Sequence, residues 1–311
     1  MKDLGTAATE SEHVLEAAIG QIPNWQGRRL RYRPVLGGIS NTNFCVEVGD
    51  DPIKYFVKIP GRGTEMFIDR KAARAASRLA EELGIGPRTF DYLDHVDIEI
   101  AEFVEGRRPS LHRDFMDPAI RSEAVRTYRR FHEAAPLPLT KTIFDMIDEH
   151  LEQVQTLGGH EPEDRSWLFD QYRLAREAFE AAGLDLVPSF NDPMPGNFLI
   201  GSDKSIVLID YEYASNNERL YDLAIWSGEM FFSEEVDQEI LEAYYGRFDR
   251  HLFARFMVLK ALADIKWGTW AMVQNRLSTL DFDFYKYGIW KHMRARSIIH
   301  HPSWPFYLKA L

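Results

Sequence analysis

One cysteine, Cys45, is all that the 311 residues contain. No internal disulfide can form, and no cysteine metal site can be built. A reducing, cytoplasmic setting is expected. No run approaches the roughly 20 apolar residues that a membrane-spanning helix needs. The opening MKDLGTAATESEH lacks the apolar core of a secretory signal, so no stable membrane insertion is expected. Positive charge is scarce: 37 Lys and Arg against 48 Asp and Glu leave a net charge of −11. That balance argues against nucleic acid or an anionic membrane surface as a partner. It suits a cationic small molecule and still permits a local pocket for phosphate. Solenoid repeats and low-complexity tracts are also missing. What is present is an ordinary globular mixture, 45% apolar and 27% charged, sized for one large domain or two smaller ones.

The first third is strand-rich. RLRYRPVL, NFCVEVG and KYFVKI are short β-prone runs separated by turn residues. TEMFIDRKAARAASRLAEELGIG reads as a long helix, starting at Thr64 and ending near Gly84 and Gly86. RTFDYLD and DIEIAEFV supply two more strands. After EGRRPS the periodicity turns helical from about 109 to 183, with a break at GGHEPED. NFLI and SIVLID then flank a turn at GSDK, and helices rich in aromatics run from about 218 to the end. The expected fold class is α+β and bilobal. A small antiparallel sheet lobe with one helix, residues 1–104, joins a larger, mostly helical lobe, residues 105–311. A ligand site is expected between them.

The stretch SFNDPMPGNFLI, 189–200, carries the chemistry. Asp192 precedes Asn197 by five residues, and Asp210 ends the second of two short strands that follow. Phosphoryl transfer in kinases uses such a set. One carboxylate orients and deprotonates the acceptor hydroxyl, while an amide oxygen and a second carboxylate hold Mg²⁺ against nucleotide phosphates. The prolines hold the loop at low entropic cost. Taken singly, Asp192 reads as a turn initiator and Asp210 as a strand end. The first third offers matching parts. Gly37, Gly38, Ser40 and Asn41 lie between two strands, where backbone and side-chain donors suit phosphate. Lys58 alternates with apolar neighbours on a strand and can face a cleft. The backbone around Glu102 and Val104, where a strand leads into the lobe connection, is a candidate for hydrogen bonding to adenine.

These motifs resemble the choline/ethanolamine kinase family, within the wider aminoglycoside-phosphotransferase-like group of protein-kinase-like fold. The resemblance spans roughly residues 30–290. NDPMPGNFLI resembles the family's H-N-D-x-x-x-x-N segment. LIDYEYASNNERLYDLA, 208–224, resembles I-D-F-E-Y-x-x-x-N-x-R-x-x-D, and KWGTWAMVQNRLSTLDFDFYKY, 266–287, resembles the W-G-x-W segment and its following tyrosine. The resemblance implies that Asp192 is the catalytic base, that Asn197 and Asp210 ligate Mg²⁺, and that Lys58 contacts the phosphates of ATP. Glu212 would help hold the metal region, and Asp222 would brace the loop.

The acceptor pocket follows from the same resemblance. Trp267 and Trp270 share one helical face, which without the resemblance reads as core packing. With Tyr287 they would receive an ammonium by cation–π attraction, at about 0.5–2 kcal/mol per ring. Glu229 falls where the family carries an acid. The implied activity is an ATP- and Mg²⁺-dependent transfer to the hydroxyl of choline, ethanolamine or a related amino alcohol. Oligomeric state is left open, a homodimer included. Two residues depart from the family pattern. Phe190 replaces a histidine before the base. Ala73 stands where the family's helix carries the glutamate that pairs with the strand lysine, for which Glu65 is a candidate substitute. Other acceptors on the same fold are an aminoglycoside, a sugar or an amino-acid derivative. A nucleotide- or choline-binding relative without catalysis is the non-enzyme alternative, kept open by Ala73.

Overall fold

A computed structural model describes residues 1–36, 41–61, 66, 68–93, 97–278 and 280–311. The N-terminal part is built from β1 (Lys2–Asp3), α1 (Glu10–Ile19), β2 (Leu30–Val35), β3 (Asn41–Val48), β4 (Tyr55–Pro60), α2 (Arg70–Glu82), β5 (Thr89–Leu93) and β6 (Ile98–Glu102). Its sheet is antiparallel in the order β1-β2-β3-β4-β6-β5. Alternation along β2, β3 and β4 sends Leu30, Tyr32, Phe44, Val46 and Val57 into one apolar cluster. Leu15, Ile19 and Trp25 cover that cluster from the N-terminal side.

The five expected strands are present, and the helix content differs from the reading. A second helix, α1, is added by the first 20 residues. Thr9 accepts from the Glu12 backbone N–H at 3.2 Å, and Glu12 accepts from the Thr9 N–H at 3.2 Å, a reciprocal cap at a helix start. The expected helix from Thr64 is shorter, beginning at Arg70. Asp69 caps it by accepting from Lys71 and Ala72 N–H groups at 3.0 and 2.9 Å. Thr64 itself lies outside the described residues. Alanines 76 and 80 of α2 belong to the larger apolar cluster, so this helix faces the rest of the molecule.

The remaining elements are β7 (Arg107–Pro109), α3 (Pro118–His132), α4 (Ile143–Leu157), α5 (Arg165–Ala182), β8 (Leu186–Ser189), β9 (Phe198–Gly201), β10 (Ile206–Leu208), β11 (Ser215–Glu218), α6 (Tyr221–Met230), α7 (Glu234–Tyr245), α8 (Arg250–Leu277), α9 (Phe284–Ile299) and α10 (Trp304–Lys309), and their helices with β9 and β10 supply most of that larger cluster. Two small antiparallel sheets, β10-β9-β7 and β11-β8, frame the loop between β8 and β9. The 28-residue α8 is buried along most of its length. No helix among the described residues is long and apolar enough to cross a membrane.

Candidate active site

The loop 190–197 is pinned from below. Asp222, fully buried at the start of α6, accepts from the Phe190 N–H at 2.6 Å and the Asn191 N–H at 2.7 Å. It is hydrogen-bonded to His132 Nε2 at 3.0 Å, and His132 Nδ1 to the Tyr244 hydroxyl at 2.8 Å. Phe190, in the family's histidine position, is fully buried and meets Tyr211 edge-on at 5.1 Å. Asn191 holds a left-handed φ of 65°. Its amide donates to the Tyr213 carbonyl at 2.8 Å and to Ser215 Oγ at 2.9 Å.

This scaffold presents Asp192. Asn197 Nδ2 donates to the Asp192 carbonyl at 3.1 Å and to its Oδ2 at 3.2 Å. The Ile209 N–H donates to the Asn197 carbonyl at 3.0 Å, which brings Asp210 beside the same loop. Asp210 also takes a left-handed φ, 72°. Burial pushes the Asp192 carboxyl up to about 7, the charges of Asp210 and Glu229 add to the rise, and Lys266 and Asn197 oppose it. Asp192 Oδ1 is buried without a hydrogen-bond partner among the described residues.

Lys58 stands across from this loop. Its Nζ is 2.7 Å from Asp210 Oδ1, 3.6 Å from Glu212 Oε1 and 3.9 Å from Glu99 Oε2. Burial disfavours the charged amine, yet the three carboxylates outweigh burial and hold its pKa above the usual lysine range. The Asn41 side chain is engaged within the protein. Nδ2 donates to both Glu212 oxygens at 3.0 Å, and Oδ1 accepts from the Gly61 N–H at 3.3 Å. Arg70 donates to Glu212 Oε1 at 3.0 Å. The Glu102 N–H donates to the Arg88 carbonyl at 2.8 Å, and Val104 follows just past the end of β6. Gly37, Gly38, Ser40 and Glu65 lie outside the described residues.

The aromatic residues expected around the acceptor are closely packed. Trp267 and Trp270 meet edge to face at 5.3 Å, but they are 6% and 2% exposed. Tyr287 approaches Trp270 at 6.3 Å, and Tyr213 approaches Trp267 at 5.4 Å. The rings already hold lysine amines of the chain. Lys266 Nζ sits 3.1 Å from the Trp267 ring centre and 4.6 Å from that of Tyr213, and Lys291 Nζ lies 5.0 Å from that of Tyr287. Glu229 is paired with Lys291 and, at 3.1 Å, with Arg294, so its carboxylate is already neutralised. Lys266 is fully buried and its Nζ has no hydrogen-bond partner among the described residues. Burial drives its pKa well down, Asp192 opposes the fall, and Lys141 and Lys291 add to it. Lys266 and Tyr213 line a cavity with Lys141, Glu149, His150 and Glu212.

Asp192, Asn197, Asp210 and Lys58 therefore lie together, and the aromatic residues form a second group around Lys266. Reading the sequence missed Tyr213, Lys266, Lys291, Arg294 and Glu99. Tyr213 had a signal, since it lies in the same I-D-Y-E-Y run as Asp210. The others are set by tertiary contacts. Among the described residues no group of three or more His, Cys, Asp or Glu side chains forms a preformed metal cage. Mg²⁺ does not need one, because it is usually held by one or two protein oxygens, water and substrate phosphate. The Asn197 amide oxygen and the Asp210 carboxylate are hard donors of that kind.

Comparison with known proteins gives a consistent picture. The model of the choline/ethanolamine kinase family matches residues 32–245, well over half the chain. A probable choline kinase 2 from Arabidopsis thaliana is 26% identical, covering 88% of this chain and 88% of the relative. A probable ethanolamine kinase from the same plant is 25% identical, covering 81% and 75%. A solved choline/ethanolamine kinase family protein from Mesorhizobium loti superposes with a TM-score of 0.81 at 25% identity, covering 96% of this chain and 98% of the other.

Proposed function

The chain belongs to the choline/ethanolamine kinase family, and on that premise we propose that it transfers the γ-phosphoryl group of ATP to the hydroxyl of a small cationic amino alcohol. Choline, ethanolamine and the methylated intermediates between them are the candidate acceptors. Residues 1–104 would bind the nucleotide and residues 105–311 would hold the catalytic loop and the acceptor. The setting would be cytoplasmic.

The observation that carries this reading is Asp192 Oδ1, a buried oxygen with no hydrogen-bond partner among the described residues. Leaving a buried acceptor unpaired is costly, and an acceptor hydroxyl supplies the missing donor. With its pKa raised by burial, Asp192 is a competent base for that proton near neutral pH. Asn197 holds the carboxylate in place through Oδ2. Asn197 and Asp210 would hold Mg²⁺, which supplies charge neutralisation on the transferring phosphoryl group. Lys58 would bind the nucleotide phosphates, together with the loop containing Gly37, Gly38, Ser40 and Asn41. Glu102 and Val104 would offer backbone to adenine. The acceptor's ammonium would lie among Trp267, Trp270, Tyr287 and Glu229, displacing the long, flexible side chain of Lys266 from the indole face. Catalysis is then mainly positioning and electrostatics.

The test is coupled ADP release with choline, ethanolamine and their mono- and dimethylated intermediates. Turnover with at least one is expected, and turnover with none sinks the acceptor assignment. Wild-type turnover by Asp192→Ala sinks the mechanism.

A further inference from the structure

Ala73 leaves α2 without a carboxylate for Lys58, and the structure shows what stands there. Ala73 lines a small cavity together with Lys58, Glu99, Arg70, Arg74 and Glu212. Lys58 on β4 and Glu99 on β6 are direct cross-strand partners in the sheet. Directly opposed residues project from the same face, so this register aims Glu99 at the lysine. Glu99 Oε2 lies 3.9 Å from Lys58 Nζ. Ser77 lies one helical turn beyond Ala73 on the same face of α2, and its hydroxyl counters the upward push of burial on the Glu99 carboxyl. The carboxylate facing the lysine thus comes from β6 and not from α2.

The two nearer carboxylates have other partners. Glu212 accepts from Asn41 through both oxygens and from Arg70. Asp210 belongs to the proposed metal pair, and a cation at Asp210 competes with the lysine for its charge. Among the described carboxylates paired with Lys58, Glu99 alone comes from the same sheet.

We propose that Glu99 is the positioning residue for Lys58 in nucleotide binding, taking from the neighbouring strand the part that Ala73 cannot play from α2. This rests on the kinase reading above. It assigns Glu99 no contact with either substrate. Its carboxylate fixes the direction of the Lys58 side chain, and Lys58 in turn meets the phosphates.

The experiment compares wild type, Glu99→Gln, Ala73→Glu and the double variant. Affinity for MgATP is measured by calorimetry without acceptor, kcat and KM are measured for both substrates, and melting temperatures are recorded. For Glu99→Gln the expected result is a fall in MgATP affinity and in kcat/KM for ATP of roughly 10- to 100-fold, the scale of a misplaced catalytic group. The acceptor KM and the melting temperature should stay near wild type. Adding Ala73→Glu to Glu99→Gln should restore most of the loss, which a merely structural role for Glu99 would not permit. Wild-type MgATP affinity in Glu99→Gln, or a loss that Ala73→Glu leaves uncorrected, overturns the proposal. If wild type binds MgATP in a Glu99-dependent way yet phosphorylates no amino alcohol, the acceptor assignment fails and Glu99 stands.

Discussion

His292 lies against Gly268 so closely that a Cβ at position 268 would come within 2.3 Å of its imidazole ring. The same seam is tight at Gly288, where a Cβ would meet the Gly268 carbonyl at 2.9 Å. This contact lets α9 sit directly on α8, and it fixes Tyr287 beside Trp270. Gly268→Ala should cost about 1–3 kcal/mol through overpacking. It should also raise the acceptor KM while leaving the ATP KM unchanged. Differential scanning calorimetry and steady-state kinetics check both outcomes, and Gly268→Ala/His292→Ala should recover part of the stability.

Asp222→Asn should lower stability by about 3 kcal/mol, the scale of a hydrogen bond to a charged group. It removes the anion that the Phe190 and Asn191 N–H groups and His132 share. Because those amides set the loop, kcat should fall with stability. Urea unfolding and turnover measured on the same preparation check it.

Asp192→Asn should abolish turnover, by roughly 10²–10⁴-fold for loss of a general base. In metal- and nucleotide-free buffer it should also stabilise the protein at pH 8. The carboxyl is raised from the ordinary 3.8 to about 7, so its protonated form favours the fold. That contribution is complete below 3.8 and is lost as pH rises through about 7. Wild type should therefore lose stability across this window, and Asp192→Asn should lose less. Equal slopes of melting temperature against pH would contradict the assignment.

Lys266→Met should raise the melting temperature at neutral pH. Burial drives the pKa of this amine down, so its contribution is lost as pH falls from the ordinary lysine value toward the lowered one, and a thioether has no such cost. Melting temperature against pH reads this directly: the advantage of Lys266→Met should shrink as pH rises toward the ordinary lysine value of 10.5, and a difference independent of pH would contradict it.

Asn197→Ala should shift the Mg²⁺ activation curve to higher concentration by at least about tenfold, with chelation abolishing turnover in wild type. A Mg²⁺ titration at saturating ATP reads this directly.

Much of the core site was legible because its determinants are local. The D-x-x-x-x-N spacing and the strand–turn–strand that follows place Asp192, Asn197 and Asp210 by chain geometry alone. The helix α1 was missed: Thr9 and Glu12 form a T-x-x-E capping box, but its apolar face is short. Glu99 was not legible, because its meeting with Lys58 depends on the β4–β6 register. Nor was the pairing of Glu229 with Lys291 and Arg294, which depends on how α9 docks. Asn41 was read as a phosphate donor because asparagine near glycine suggests it, and only the fold reveals Glu212 within its reach.

Asn191 reaches from the loop that carries Asp192 to the main chain of Tyr213, whose ring flanks Trp267. On the proposed roles, chemistry and acceptor choice are thus moored to one bolt. A laboratory search for altered acceptor preference should find its tolerated changes along α9, where Lys291 and Arg294 sit, and few at Ser189, Phe190 or Asn191, because any shift there would disturb recognition and reaction together.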